Sequence, residues 1–328
     1  MNVSSLEIDA LRTPVLFIVF NRPDTTVKVF EVIKKVRPKK LYIVSDGPRQ
    51  EKNGEDHRVK QVRKIVTDVN WPCELKTLFR EKNLGCKYSV SGGIDWFFKN
   101  EEQGIILEDD CLPHLDFFRY CETLLDYYCN NNKVLAISGT NILSKNKNDH
   151  DSYYFSKYFN CWGWATWRTS WNQYDCEISF WPSWKHSKNW LRRFAHKDEK
   201  KYWEKIFDLK YSKQIDTWDY QYLANIWKKK GLTVMPNTNL VSNIGFGNSA
   251  THTTDANHKL GNLPLKSIGD LIHPKKIEQD HDKDKCLFDV AFEGRYLRFP
   301  WSIFIHLRKI IGHILRKIKS TLKPLSQK

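Results

Sequence analysis

The chain has 328 residues, of which 41% are hydrophobic and 28% charged, so it can bury the core of one large or two small globular domains. Its eight cysteines include no Cys-x-x-Cys pair, and none lies near a histidine at zinc-finger spacing, which excludes a zinc finger and indicates reduced thiols. The net charge of +15 is uneven, because nine Lys and Arg and no acid follow residue 294, which leaves +6 for the rest.

The N-terminal third of the chain predicts alternating strands and helices. Residues 15–20 form a continuous apolar run, typical of a strand buried on both faces of a parallel sheet. A helical period of Val and Ile follows, with Asp24 as its expected cap. Residues 40–44 and 73–79 predict two further strands, and residues 88–98 predict a helix. Because right-handed crossovers make such strands parallel, we expect a ligand site at their carboxyl edge.

The next predicted strand ends in three consecutive acids. Residues 104–107 are of strand type, Glu108, Asp109 and Asp110 follow them, and Pro113 then prevents the strand from continuing. Three clustered carboxylates repel one another unless a cation lies among them, and Mg2+ and Mn2+ prefer carboxylate oxygens. The cluster therefore suggests a metal that holds a phosphorylated ligand. A solvated acidic turn is the alternative that these residues alone leave open.

The second half of the chain is richer in aromatic residues. Residues 115–128 predict a helix, residues 134–139 a strand and residues 145–152 a polar loop. Seven of the 13 tryptophans lie between residues 162 and 190, where they suit either a wall around a sugar or an ordinary core. We expect this half to form an acceptor-facing layer on the first half, not a separate domain.

Six short motifs follow one another along the chain. They are Asn21-Arg22-Pro23, Ser45-Asp46-Gly47-Pro48, Asn83-Leu84-Gly85, Glu108-Asp109-Asp110, Gly163-Trp164 and Trp218-Asp219. In this order they resemble GT-A fold glycosyltransferases, in particular the N-acetylglucosaminyltransferase I type and bacterial family-2-like enzymes, over residues 14–252. The resemblance implies an α/β fold, with a Rossmann-like, mixed but mostly parallel sheet flanked by helices. It also implies a nucleotide-sugar donor, a Mn2+ or Mg2+ ion, and transfer of the sugar to a hydroxyl with inversion.

The resemblance further implies roles for individual residues. Asp110 stands where the family keeps its principal metal ligand, which leaves Glu108 and Asp109 to ribose, sugar or metal-bound water. Asp46 corresponds to the acid near the nucleotide base, and Arg22 to a basic residue near the base and phosphates. UDP is favoured over GDP as the nucleotide by this resemblance alone.

An inverting transferase needs a carboxylate opposite the leaving group as general base, because the acceptor hydroxyl is a poor nucleophile. Asp219 follows Trp218, as in the base region of the family, and is the first candidate, with Asp216 as the second. The chain departs from the pattern at Tyr220, where relatives often carry a second acid. Both aspartates also suit the N-terminal end of a helix, which leaves a capping role open.

Four further residues are candidates for the donor site. By resemblance, Gly163 lets the backbone approach the donor sugar while Trp164 packs against it, although a core aromatic cluster fits the same spacing. Arg80 suits a phosphate contact or an ordinary charged loop. His252 follows a loop rich in Gly and small polar residues, where the family has a late His that reaches the metal or diphosphate as the loop closes. A lone His is otherwise an ordinary residue.

The basic C-terminal segment predicts an amphipathic helix over residues 297–323. Its Ile side chains fall on one face and most Lys and Arg lie away from it, which suits an anionic membrane surface. Packing on the catalytic domain or on another subunit is the alternative. The polar N-terminus lacks the apolar core of a signal peptide, and residues 15–20 are too few to span a bilayer. We therefore expect a cytoplasmic protein, peripheral on the inner face of the membrane.

The residues and the resemblance together predict a metal-dependent inverting glycosyltransferase that moves a sugar from a nucleotide-sugar to a hydroxyl of a glycan or lipid-linked acceptor in bacterial surface polysaccharide synthesis, with no nucleic-acid partner. The expected parts are a catalytic domain over 1–265, with its nucleotide-sugar half at 14–113 and its acceptor-side half at 114–265, a linker over 266–296 and the helix over 297–323. A sugar nucleotidyltransferase is disfavoured, because its Gly-rich basic loop is missing after Phe20. A nucleic-acid-binding protein, suggested by the basic charge, and a non-catalytic relative stay open.

Overall fold

The computed structural model describes residues 10–143, 150–246, 258–298 and 300. The strands are β1 (Val15–Val19), β2 (Lys40–Ser45), β3 (Glu74–Phe79), β4 (Gln103–Glu108), β5 (Cys111–Pro113), β6 (Val134–Ser138), β7 (Tyr153–Ser156), β8 (Trp164–Trp167), β9 (Leu232–Pro236) and β10 (Val241–Asn243). The helices are α1 (Pro23–Val36), α2 (Glu55–Val66), α3 (Gly85–Asn100), α4 (Asp116–Tyr127), α5 (Arg168–Trp171), α6 (Trp181–Trp184), α7 (Lys188–Leu191), α8 (Lys197–Tyr211), α9 (Asp219–Lys228) and α10 (His281–Ala291), with a 3-10 turn at Gly294–Leu297.

One mixed sheet of eight strands organises the fold, in the order β3-β2-β1-β4-β8-β6-β9-β7. Strands β1 to β4 pair in parallel, and β6 pairs in parallel with β9, whereas β7 and β8 run antiparallel to their neighbours. The predicted α/β class, a mostly parallel sheet flanked by helices, is thereby confirmed. Strands from both halves of the chain share this sheet, and β5 and β10 form a separate antiparallel pair.

Both faces of the sheet are covered, as the apolar run of β1 predicts. Val15, Phe17 and Val19 point into a core shared with α1, α2 and α4. Leu16 and Ile18 point into a second core shared with α3, α8 and α9. Because successive strand residues face opposite sides, a strand between two helical layers must be apolar throughout.

Most of the described tryptophans of the second half belong to this second core, whereas Trp167 lies in the first. The rings of Trp164 and Trp218 stack with their centroids 5.6 Å apart, and Trp171 packs on Tyr222 at 5.2 Å. Each of these side chains is at most 3% exposed. Of the two alternatives that the sequence leaves open for the aromatic segment, the core accounts for these residues.

Several element boundaries differ from those predicted. Helix α1 begins at Pro23, whose fixed φ and missing N–H suit the first helical position, so Asp24 lies inside the first turn and makes no capping bond. Strand β4 ends at Glu108, and Pro113 instead ends β5. The predicted linker over 266–296 contains α10, whose Leu287 and Phe288 are buried in the second core.

Two predicted segments fall largely outside the described residues. The helix over 297–323 is described only at residues 297, 298 and 300, and the loop over 145–152 only from residue 150. Within residues 10–143, 150–246 and 258–298, no helix combines the length and the apolar character needed to cross a bilayer.

Candidate active site

A cavity of about 600 Å³ opens at one edge of the sheet, where β1, β2 and β4 end. Strand β8 is antiparallel to β4 and pairs Trp164 with Ile106, so β8 begins at the same edge. In the sheet, β2 and β1 lie on one side of β4, and β8 lies on the other side. The residues that follow β1 and β2 therefore flank the acids at the end of β4 on one side, and the residues that precede β8 flank them on the other. The cavity is lined by five carboxylates and two guanidinium groups, those of Asp46, Glu108, Asp109, Asp110, Asp219, Arg22 and Arg49.

Arg22 bridges two acids at the centre of this cavity. Its guanidinium donates to Asp109 Oδ1 at 2.6 Å and lies 3.0 Å from Asp110 Oδ2. The other oxygen of Asp109 accepts the backbone N–H of Phe20 at 3.1 Å. Burial lowers the pKa of Arg22, but the charges of Asp109, Asp110 and Glu108 outweigh it and raise the pKa overall. Arg22 therefore stays charged and neutralises part of the cluster.

Glu108 is the acid of the triplet whose carboxylate makes no direct bond to Arg22. It is the last residue of β4 and lines the cavity, and its carboxylate accepts no hydrogen bond from any residue that the structure describes. Burial raises the pKa of Glu108 to about 8, with Asp110 and Asp109 adding their repulsion. The pKa of Asp109 rises to about 6 through burial, against the attraction of Arg22. An added cation would therefore stabilise the ionised form of both carboxyl groups.

The carboxyl groups at the end of β4 fit a divalent metal in part. Glu108 makes no direct bond to Arg22, Asp110 is bound on one oxygen by Arg22, and both present the hard oxygen ligands that Mg2+ and Mn2+ prefer. Among the described residues, no group of three or more His, Cys, Asp and Glu is arranged to hold a metal ion. Glu108 and Asp110 would therefore hold the metal as two carboxylates, with the phosphates of a ligand completing the shell, the usual mode for Mg2+.

Asp46 is held by the loop that leads into α3. Its carboxylate accepts the backbone N–H groups of Gly47, Leu84 and Gly85 at 3.0 to 3.2 Å and the Asn83 side-chain amide at 3.1 Å. Burial raises the pKa of Asp46, although these hydrogen bonds oppose the shift. Asp46 thus shapes the cavity wall beside β2, because it fixes the backbone of the loop from Asn83 to Gly85.

Asp219 is the aspartate of the predicted pair that reaches the cavity. It is the first residue of α9, and the Thr217 hydroxyl donates to its Oδ1 atom. Asp216 is exposed in the preceding loop and does not line the cavity. Neither aspartate caps α9 through its side chain, since the capping position is Trp218 and it has no side-chain bond.

A lysine that the sequence does not single out holds the loop before Asp219. The Lys210 ammonium, 4% exposed, donates to the carbonyl oxygens of Ile215 at 2.6 Å and Thr217 at 2.7 Å. Burial lowers the pKa of Lys210 to about 8, although Asp219 favours its charged form. Lys210 belongs to no motif, and only the packing of α8 against this loop reveals its position.

Three other predicted site residues lie outside the cavity lining. Arg80 donates to the backbone and hydroxyl oxygens of Ser89 at 3.2 and 3.1 Å. Gly163 has a φ of +65°, and a Cβ there would come within 2.6 Å of the Val241 side chain, so backbone conformation and packing require glycine. Trp164 is fully buried in the core. His252 lies outside the described residues.

An aromatic wall completes the cavity on the side of β8. It consists of Trp162, Trp218, Tyr220 and Phe246. The rings of Trp162 and Phe246 meet edge to face at 5.7 Å, and Phe246 also stacks on His258 at 5.2 Å. The tryptophan-rich composition indicates such a wall but not its members, because Trp162 and Trp164 lie two residues apart and only Trp162 lines the cavity.

Comparisons with known proteins give distant structural similarities. No family model and no curated protein matches the chain. A UDP-glucose pyrophosphorylase complexed with UDP-glucose matches at 13% identity and a TM-score of 0.26, over 44% of this chain and 62% of the other. HddC from Yersinia pseudotuberculosis matches at 9% and 0.30, over 48% and 77%. 4-Diphosphocytidyl-2C-methyl-D-erythritol synthase from Anaerococcus prevotii matches at 9% and 0.29, over 60% and 83%.

The chain thus spans less than two thirds of the pyrophosphorylase. At these levels of identity and TM-score the matches do not assign a function. The residues that line the cavity are therefore the basis for a functional assignment.

Proposed function

We propose that the protein is a metal-dependent inverting glycosyltransferase, which moves a sugar from a nucleotide-sugar, with UDP-sugars first to be tested, to a hydroxyl of a glycan or lipid-linked acceptor. The observation that carries the proposal is the acidic lining of the cavity, where five carboxyl groups, four of them from aspartates, face two guanidinium groups. A nucleoside diphosphate is itself an anion and would be repelled from such a lining. Glu108 and Asp110 would hold a divalent cation, which would offset that repulsion and supply stabilisation of the charge on the leaving group.

The strand order supports an arrangement of donor and acceptor. The wall after β1 and β2 holds Phe20, Asp46 and Arg49, with the Arg49 guanidinium 5.5 Å from the Phe20 ring centroid. We assign the nucleotide to this wall. The diphosphate then lies at the acids after β4, and the transferred sugar faces the aromatic wall.

Asp219 is the general base of the proposed reaction, since it lines the cavity beside the aromatic wall. Its carboxylate takes the proton of the acceptor hydroxyl as that oxygen bonds to the anomeric carbon. The bond between this carbon and the phosphate oxygen breaks, and its electron pair leaves with the nucleoside diphosphate. The Thr217 hydroxyl and the Lys210 ammonium orient Asp219, one directly and one through the loop backbone.

The aromatic wall suits a saccharide acceptor. Trp162, Tyr220 and Phe246 offer flat apolar faces in the same cavity lining as the carboxylate of Asp219. The C–H face of a pyranose ring would pack on an aromatic side chain, and its hydroxyl groups would donate hydrogen bonds to the carboxylate. We extend the proposal to the C-terminal segment over 297–323 as a contact with anionic membrane, and to residues 1–265 as the catalytic unit.

A panel of UDP- and GDP-sugars with acceptor glycosides and Mn2+ or Mg2+ tests the reaction, with released nucleoside diphosphate as the readout. Asp219→Asn is expected to lower the rate by about 100-fold or more while nucleotide affinity is kept, because only proton transfer is removed. Asp216→Asn is the matched control, since it makes the same change at an exposed position three residues earlier. Equal losses in both variants, or none in Asp219→Asn, would refute the assignment of the base.

A further inference from the structure

Arg22 is fixed at its backbone by the first turn of α1, and its guanidinium is the part that reaches the acid cluster. It immediately precedes α1, and its carbonyl oxygen accepts the backbone N–H of Thr26 at 3.0 Å and the Thr26 hydroxyl at 2.6 Å. The guanidinium spans Asp109 and Asp110, and the Arg22 side chain is 17% exposed. In the absence of ligand, the cluster thus contains its own cation.

A loop after β10 covers this ion pair. Ile244 donates its backbone N–H to the Asp110 carbonyl oxygen at 2.8 Å, and the Gly245 N–H donates to the Asn243 side chain at 2.9 Å. A Cβ at Gly245 would come within 2.6 Å of a terminal nitrogen of Arg22 and would collide with the Asp110 carboxylate. The backbone therefore packs directly against the guanidinium and leaves it little room beside Asp110.

A metal ion and the guanidinium compete for the same carboxylate. A metal ion held by Asp110 Oδ2 would share that oxygen with the Arg22 guanidinium, which lies 3.0 Å from it. Two cations on one carboxylate oxygen repel each other strongly where burial limits screening. A metal at this oxygen would therefore bind more tightly once Arg22 contacts another anion.

We infer that Arg22 is a built-in counterion of the acid cluster, which a nucleoside diphosphate draws away from Asp110, so that divalent metal and nucleotide bind cooperatively. The inference rests on the nucleotide site of the proposed function. Asp109 remains the pivot, because its bond to Arg22 is the shorter of the two. A guanidinium can contact carboxylate and phosphate oxygens at the same time through its several N–H groups.

Cooperativity has a measurable form. If the diphosphate raises the affinity for metal by some factor, the metal must raise the affinity for the diphosphate by the same factor. Arg22→Gln keeps a hydrogen-bonding side chain but removes the charge that competes with the metal. Arg22→Lys keeps the charge. The two variants therefore separate the effect of the positive charge on metal affinity from the effect of the other contacts of the side chain.

The experiment is a titration of Mn2+ followed by electron paramagnetic resonance, with and without UDP. We expect Arg22→Gln to bind Mn2+ without nucleotide about 10-fold tighter than the wild type, and Arg22→Lys to stay near the wild type. UDP should tighten Mn2+ binding in the wild type by about 5- to 150-fold, the usual range of coupling, and much less in Arg22→Gln. Arg119→Gln, the same change on the exposed surface beside Asp116, is the control for net charge.

Unchanged or weaker Mn2+ binding by a folded Arg22→Gln protein would overturn the inference, as would the absence of Mn2+ binding in all variants. Melting curves of the apo variants establish that they are folded. Failure of the proposed function is seen separately, as a lack of nucleoside diphosphate binding by the wild type. In that case the titration without UDP still decides whether Arg22 occupies the cluster as a counterion.

Discussion

A buried ion pair outside the cavity lining gives the sharpest prediction for stability. Lys157 Nζ lies 2.7 Å from Glu199 Oε1, and the two side chains are 6% and 8% exposed. Aromatic rings surround the ammonium, with the Phe194 centroid at 5.1 Å and that of Trp227 at 6.0 Å. The Tyr158 hydroxyl also donates to Glu199. Neither charge could be rehydrated in place if its partner were removed.

Lys157→Met removes the ammonium with little change in length and leaves Glu199 buried without its counter-charge. Loss of one partner of a buried pair reduces the free energy of unfolding by about 3–5 kcal/mol, a large part of the roughly 5–15 kcal/mol of a typical domain. The double variant Lys157→Met/Glu199→Gln removes the unpaired charge as well, so it should recover a substantial part of this loss.

Urea denaturation followed by tryptophan fluorescence measures these differences. The control is Lys60→Met, in a surface pair 3.7 Å from Asp56 with side chains 78% and 61% exposed. Such pairs contribute about 0.3–0.5 kcal/mol. A loss below about 1 kcal/mol in Lys157→Met, or a double variant no more stable than the single one, would refute the reasoning from buried charge.

Three further predictions concern the cavity and the pH dependence of stability. Gly245→Ala pushes a methyl group into the Arg22–Asp110 pair, so Mn2+-dependent nucleotide affinity should fall by at least about tenfold in a protein that melting curves show to be folded; unchanged affinity in calorimetry would contradict this. Lys210→Met releases the loop before α9, so limited proteolysis between α8 and α9 should speed up, and equal cleavage rates would argue against the tether. Burial raises the pKa of Asp284 to about 6, so its stabilisation is complete below its ordinary pKa of 3.8 and is lost as pH rises through about 6. Melting temperatures across this range should fall less in Asp284→Asn than in the wild type, because Asp109 contributes the same kind of loss in both proteins.

The strands around the cavity could be predicted because their physics is local. A strand buried on both faces must be apolar throughout, so the continuous apolar segments of β1, β2 and β4 can be recognised in the sequence. The parallel order then brings Arg22, Asp46 and the acids after β4 to one edge. The order of the motifs along the chain therefore predicts which of these residues lie together at the edge of the sheet.

Other features depend on packing between distant segments, which spacing does not encode. Trp162 and Trp164 lie two residues apart, yet one lines the cavity and the other is in the core, because β8 is buried on both faces. Lys210 acts through carbonyl groups, so no side-chain pattern marks it. The Arg22 bridge joins the ends of two strands that are adjacent in space but far apart in sequence.

The most direct test of the account is calorimetric titration of UDP and GDP into the wild type and Asp110→Asn, with and without Mn2+. We predict metal-dependent binding of one nucleoside diphosphate to the wild type. Affinity should fall by at least about tenfold in Asp110→Asn, because a carboxylate ligand of the metal is lost. Absence of binding by either nucleotide under both metal conditions, or equal affinity in the two proteins, would contradict the proposed donor site.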